Sequence, residues 1–214
     1  MKAILFALFA LVAPICAKSP DAQSFISDPY KVKVADAYYF SLKSGDSAKL
    51  MTSDLTSKGT KSTPFTFESL GSMVSLGDSL IFAADQGKGS ELYSFSPNVK
   101  DTKPRLIKDL VADGSSSPRE LTVLGEQAFF SASDGKRREL YVFDGKNNSV
   151  STVAAAHKIN VPADPVNLTV VGNKLFFSAG EAEEVKKGKK TKKVYQRRYY
   201  MLDTEKPGKI HGFP

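Results

Sequence analysis

The chain has 214 residues and carries 30 Lys and Arg against 23 Asp and Glu, for a formal net charge of +7, with one cysteine and two histidines. One cysteine excludes a disulfide framework, and His157 and His211, about fifty residues apart, offer no metal-ligand spacing. The length suffices for one domain that buries most of its apolar surface, and nothing beyond the first twenty residues is apolar for long enough to read as a transmembrane helix.

Residues 1–17 read as a signal peptide: Lys2 gives a positive start, Ile4 to Ile15 an apolar stretch too short to span a bilayer comfortably, and Cys16-Ala17 a small-residue exit. Cleavage near Ala17 is expected to leave an exported chain without cysteine, held by its core alone; the alternatives are an uncleaved membrane anchor or a buried N-terminal segment. Residues 18–31 form an N-terminal segment, and the stretch "SFISDPYKVKV" is placed to pair with the end of the chain and seal a ring.

From residue 32 the text repeats itself. Phe40, Phe82, Phe130 and Phe177 lie 42, 48 and 47 residues apart, and five residues before them stand Ala35, Gly77, Gly125 and Gly172. Fourteen residues after the first three come Asp54, Ser96 and Asp144. Fixed gaps at several landmarks define a repeat of about 47 residues, with units near 32–73, 74–121, 122–168 and 169–214. Each unit has material for four short strands. "SLIFAA" and "AFFSAS" mix aromatic and small residues; "ELYSFS" and "ELYVFD" alternate, setting Leu92 or Leu140 on the face opposite Tyr93 or Tyr141. "RLIKDLV" and "SVSTVAA" supply a further strand, and no helical period is sustained for ten residues after the leader. The predicted fold is all-β: a four-bladed β-propeller, or part of a larger propeller, whose repeated aromatic pairs pack between blades.

"RRELYVFDG" and "GSELYSFSP", with "FFSASDG" and "IFAADQG" ahead of them, resemble the ELWxxDGT-repeat proteins. The resemblance covers most of residues 32–214 and departs from the pattern by placing Tyr or Met where the family has Trp. It implies a propeller-like, secreted or surface-exposed protein and no defined activity.

The fourth unit is interrupted. From Phe177 to Asp203 is twenty-six residues, so twelve extra residues lie in a hairpin that packing does not require. The insertion, 181–196, is expected to be a solvated or flexible basic loop. Lys186, Lys187, Lys189, Lys190, Lys192 and Lys193 within it, with Arg197 and Arg198 just after it, are the candidate anion-binding residues. Setting these eight and Lys2 aside leaves 21 basic against 23 acidic residues, so the positive charge is local. Tyr195, Tyr199 and Tyr200 are near enough to stack on rings, but Tyr199 and Tyr200 align with Leu140 and Tyr141 and are expected in the core. Asn147 and Asn167 fit the glycan-acceptor triplet.

Catalytic signatures are absent from the text, and neither cofactor nor metal is expected. Asp85 with Glu91 and Asp134 with Glu139 could offer oxygen ligands to calcium; a polar hairpin with the Glu facing solvent is the simpler expectation. Functionally, the sequence points to an exported, non-catalytic binding or matrix protein whose lysine-rich loop meets an anionic extracellular partner: a sulfated glycan, or a phosphate-bearing or mineral surface. Nucleic acid is the poorer candidate for an exported chain. Two alternatives stand beside it, a glycan-active enzyme with a site at the propeller mouth and a self-assembling coat component.

Overall fold

The computed structural model describes residues 31–100, 102–187, 190–204 and 210–213. The expected leader, Cys16 and residues 18–30 therefore lie outside the described residues, as does Lys189. Among the described residues, sixteen strands form four antiparallel sheets of four, each sheet a run of consecutive strands. The first holds β1 (Lys31–Val34), β2 (Ala37–Ser44), β3 (Ser47–Ser53) and β4 (Lys61–Phe67). The second holds β5 (Ser69–Leu76), β6 (Ser79–Asp85), β7 (Ser90–Phe95) and β8 (Arg105–Lys108). β9 (Arg119–Leu124), β10 (Gln127–Ser133), β11 (Arg138–Asp144) and β12 (Ser149–Thr152) form the third. β13 (Ala163–Val171), β14 (Lys174–Lys187), β15 (Lys190–Asp203) and β16 (Ile210–Phe213) form the fourth. β1, β5, β9 and β13 contact one another in succession and so line the inside of the stack.

The landmark five residues before each phenylalanine opens the turn between the first two strands of a sheet. Ala35, Gly77, Gly125 and Gly172 have φ of 51°, 56°, 62° and 60°. Three of the four are glycine because the left-handed region costs a residue with a Cβ.

The aromatic repeat is the seam between sheets. Phe82 stacks on Tyr93 at 6.0 Å, Phe130 on Tyr141 at 5.6 Å and Phe177 on Tyr200 at 5.6 Å. Each pair looks back at the preceding sheet. Phe82 and Tyr93 share a core with Tyr39 and Leu50; Phe130 and Tyr141 with Ile81 and Leu92; Phe177 and Tyr200 with Phe129 and Leu140. Strand alternation produces this arrangement, since neighbouring residues point to opposite faces and the Leu-Tyr pair serves two seams. Phe82 and Phe130 are 0% exposed and Phe177 2%. Burying each is worth about 2–3 kcal/mol. Burial also pushes the Tyr141 hydroxyl up to about 12, with Glu139 and Asp134 adding to the effect.

Hydrogen bonds latch the same seams. Leu121 N donates to Ser72 Oγ at 3.0 Å and Leu168 N to Glu120 Oε2 at 3.0 Å. The Glu91 carboxylate, 4% exposed, accepts from Ser116 N at 2.8 Å and Ser116 Oγ at 2.5 Å. Glu91 thus faces inward rather than solvent, clamping the crossover between the second and third sheets.

Three sequence expectations change in detail. Lys31–Val34 pairs with β2 inside the first sheet, so this part of the expected ring-sealing strand serves its own blade; Ile210–Phe213 pairs with β15 and completes the fourth sheet. "SVSTVAA" is strand only to Thr152. The alanine-rich continuation turns into α1 (Val153–His157), with Thr152 Oγ1 accepting from Ala155 N at 3.2 Å as its N-cap. The sheets also begin a few residues ahead of the sequence units, so β5, β9 and β13 run across the unit boundaries. Among the described residues, core clusters join the first sheet to the second, the second to the third and the third to the fourth; none joins the fourth to the first.

Candidate functional site

Alternating strand directions place every turn between a sheet's second and third strands on one rim, together with the crossovers between sheets. In the second and third sheets that turn is short: paired residues end at Asp85↔Ser90 and Ser133↔Arg138. In the fourth sheet the equivalent pair is Gly180↔Arg197, and the ladder continues through seven more pairs from Glu181↔Gln196 to Lys187↔Lys190. β13 pairs only as far as Ala163↔Gly180 and β16 only as far as Tyr199↔Phe213, so beyond them the hairpin stands as a two-stranded ribbon. At a strand rise of about 3.3 Å, seven residues project about 23 Å.

The expected flexible loop is therefore a β-ribbon. In its register Glu184 stands across from Lys193, Ala182 across from Tyr195 and Val185 across from Lys192. The acidic half of the insertion, Glu181, Glu183 and Glu184, lies toward the base, while residues 186–193 contain six lysines and no acid. At the tip Lys187 stands across from Lys190.

Of the eight candidate anion-binding residues, Lys186, Lys187, Lys190, Lys192 and Lys193 lie on the ribbon strands. Arg197 and Arg198 sit below them, level with the sheet body. Arg197 is committed to the fold: Nη1 donates to Asp164 O at 3.0 Å and Nη2 pairs with the Asp164 carboxylate at 2.5 Å. Arg119 reaches the same carboxylate at 3.3 Å. Arg138, the equivalent of Arg197 in the third sheet, makes the corresponding staple to Ser117 O and Ser131 O, both at 3.0 Å. Burial, with Arg119 nearby, lowers the pKa of its guanidinium. These arginines fasten inner strands to the rim and leave the lysines as the ribbon's own charge. Arg198 is half-buried, across from Ala179.

Tyr200 is in the core as expected, but Tyr199 is 64% exposed and Tyr195 68%. The carboxylates considered for calcium are engaged in the fold. Asp85 Oδ1 accepts from the backbone of Gly87, Lys88 and Gly89, and Asp134 Oδ1 from Lys136 N and Arg137 N, which lowers the Asp134 pKa. Glu139 pairs with Arg137. Among the described residues no three His, Cys, Asp or Glu side chains cluster as metal ligands. Asn147 is exposed on a turn, where its amide donates to Asp144 Oδ2 at 2.8 Å; Asn167 is also exposed, in the left-handed region at φ 59°.

No protein-family model matches the sequence. No curated protein matches it either. Solved structures do resemble the fold. TolB from Acinetobacter baumannii superposes with a TM-score of 0.54 at 12% identity, over 84% of this chain and 41% of that one. The tricorn protease superposes with a TM-score of 0.56 at 14% identity, over 87% of this chain and 16% of that one. The chain thus spans less than half the length of either, and at such identities the likeness shows the β-propeller fold alone.

Proposed function

We propose that the chain is an exported, non-catalytic binding protein that uses the ribbon of its fourth blade to hold an anionic extracellular partner such as a sulfated glycan. One observation carries the reading: Lys186, Lys187, Lys190, Lys192 and Lys193 lie on a hairpin that extends the blade by seven residue pairs, in a stretch, 186–193, whose sequence holds no acid. Packing does not call for the extension, and a run of lysines without an acid is a dense positive charge for a polyanion to neutralise. The leader-like start supports export, and the repeat wording supports kinship with the ELWxxDGT-repeat proteins. A glycan-active enzyme is less well supported, because the carboxylates near the inner strands have structural duties: Glu120 holds Leu168 N, Asp164 two arginines and Glu91 the Ser116 crossover.

The test replaces residues 181–196 with the short turn of the third blade and measures elution from a heparin column against salt. The parent chain is expected to be retained and to elute with rising salt, as exposed charges are screened; the shortened chain is expected in the flow-through at low salt. Equal retention of the two would overturn the reading.

A further inference from the structure

Each sheet has a forward face, built on the residue at the position of Leu92 or Leu140, and a backward face, built in the second to fourth sheets on a stacked aromatic pair and in the first on Phe40 and Met51. Leu50, Leu92 and Leu140 on the forward faces of the first three sheets are 0%, 1% and 1% exposed, because the next sheet covers them. On the fourth sheet the equivalent residue is Tyr199, at 64%. Around it stand Val171 and Phe213, at 60% and 41%, with Phe176 and Met201 half-buried across from each other. Phe213 is paired with Tyr199 in the ladder, so these side chains form one apolar face of the kind that the other seams bury.

The matching backward face occurs once more in the chain. Phe40, half-buried, stands across from Met51, 3% exposed, in the first sheet, as Phe82 does from Tyr93 in the second. The fourth sheet and the first are not joined by any core cluster among the described residues. The chain therefore carries one forward face and one backward face of the same seam, at opposite ends of the stack.

We propose that the forward face of the fourth sheet docks the backward face of the first sheet of a second copy of this chain, head to tail, continuing the seam that already joins the sheets three times. The contact is heterologous, using a different patch on each copy, and two such contacts related by a two-fold axis close a ring of two chains. It does not depend on the ribbon, which stands on the rim.

Sedimentation equilibrium of the full chain between 1 and 100 µM tests this. The parent chain is expected at twice the chain mass, and Tyr199→Glu, an exposed position, is expected to weaken association at least tenfold with an unchanged circular dichroism spectrum. Phe40→Glu is expected to do the same from the other face. An equimolar mixture of the two variants is expected to recover dimer, since each supplies the face that the other has lost. A parent chain that stays at single mass at 100 µM, a Tyr199→Glu chain that associates like the parent, or a mixture without recovery would each overturn the proposal. The last outcome includes pairing of two Tyr199 faces, which mixing cannot restore.

Discussion

Ala35 occupies the turn position that Gly77, Gly125 and Gly172 hold in the other sheets, at φ 51° against their 56° to 62°. A Cβ in this region costs about 1–2 kcal/mol, and glycine gives back about 0.5–1 kcal/mol through the freedom it has in the unfolded chain. Ala35→Gly should therefore stabilise the protein, by about 0.5–1 kcal/mol. Gly125→Ala should destabilise it by a similar amount. No atom lies within 4 Å of a Cβ built on Gly77, Gly125 or Gly172, so the cost there is conformational and owes nothing to a clash. For a domain of this size 1 kcal/mol moves Tm by about 2–4 °C. Scanning calorimetry of the two variants and the parent at pH 7.5 should show shifts of opposite sign. A lower Tm for Ala35→Gly, or an unmoved one for Gly125→Ala, would refute the account of this landmark.

Two further outcomes follow from the core. Phe82→Ala, Phe130→Ala and Phe177→Ala should each cost about 3–5 kcal/mol, with Phe→Leu costing less; because the three rings fill equivalent seats, urea unfolding should place their costs within about 2 kcal/mol of one another. His157 has a buried Nε2 without a hydrogen-bond partner, and burial depresses its pKa below the ordinary 6.5. The folded chain then binds fewer protons than the unfolded one, so stability is full above about 6.5 and falls as pH drops from there through the folded-state value. Urea midpoints at pH 7.5 and 5.5 should differ for the parent chain and less for His157→Gln.

The strands and their seams were legible because they depend on local pattern: the Phe-Phe and Leu-Tyr pairs alternate across a sheet, and a fixed gap puts each pair at the same seam. What depends on distant neighbours was not legible. Glu91 looks like a solvated hairpin acid until Ser116, twenty-five residues on, is brought against it. Tyr199 aligns with Leu140 and reads as core, yet its burial requires a further sheet, which no property of the residue itself can supply. A run of lysines suggests solvated chain, and the strand character of the ribbon shows only in its register, seven pairs beyond Gly180↔Arg197. Arg197 reads as one of the anion-binding cations beside the insertion, whereas its guanidinium belongs to a staple that Arg138 repeats one blade earlier.

The sheets differ in sequence but present the same two-sided connector, so the architecture is indifferent to how many are strung together. A gene duplication that inserted one more unit between the second and third sheets would place familiar surfaces on both sides of the newcomer. Length in such proteins is then the trait that evolution can alter most freely, while the chemistry of each joint stays put.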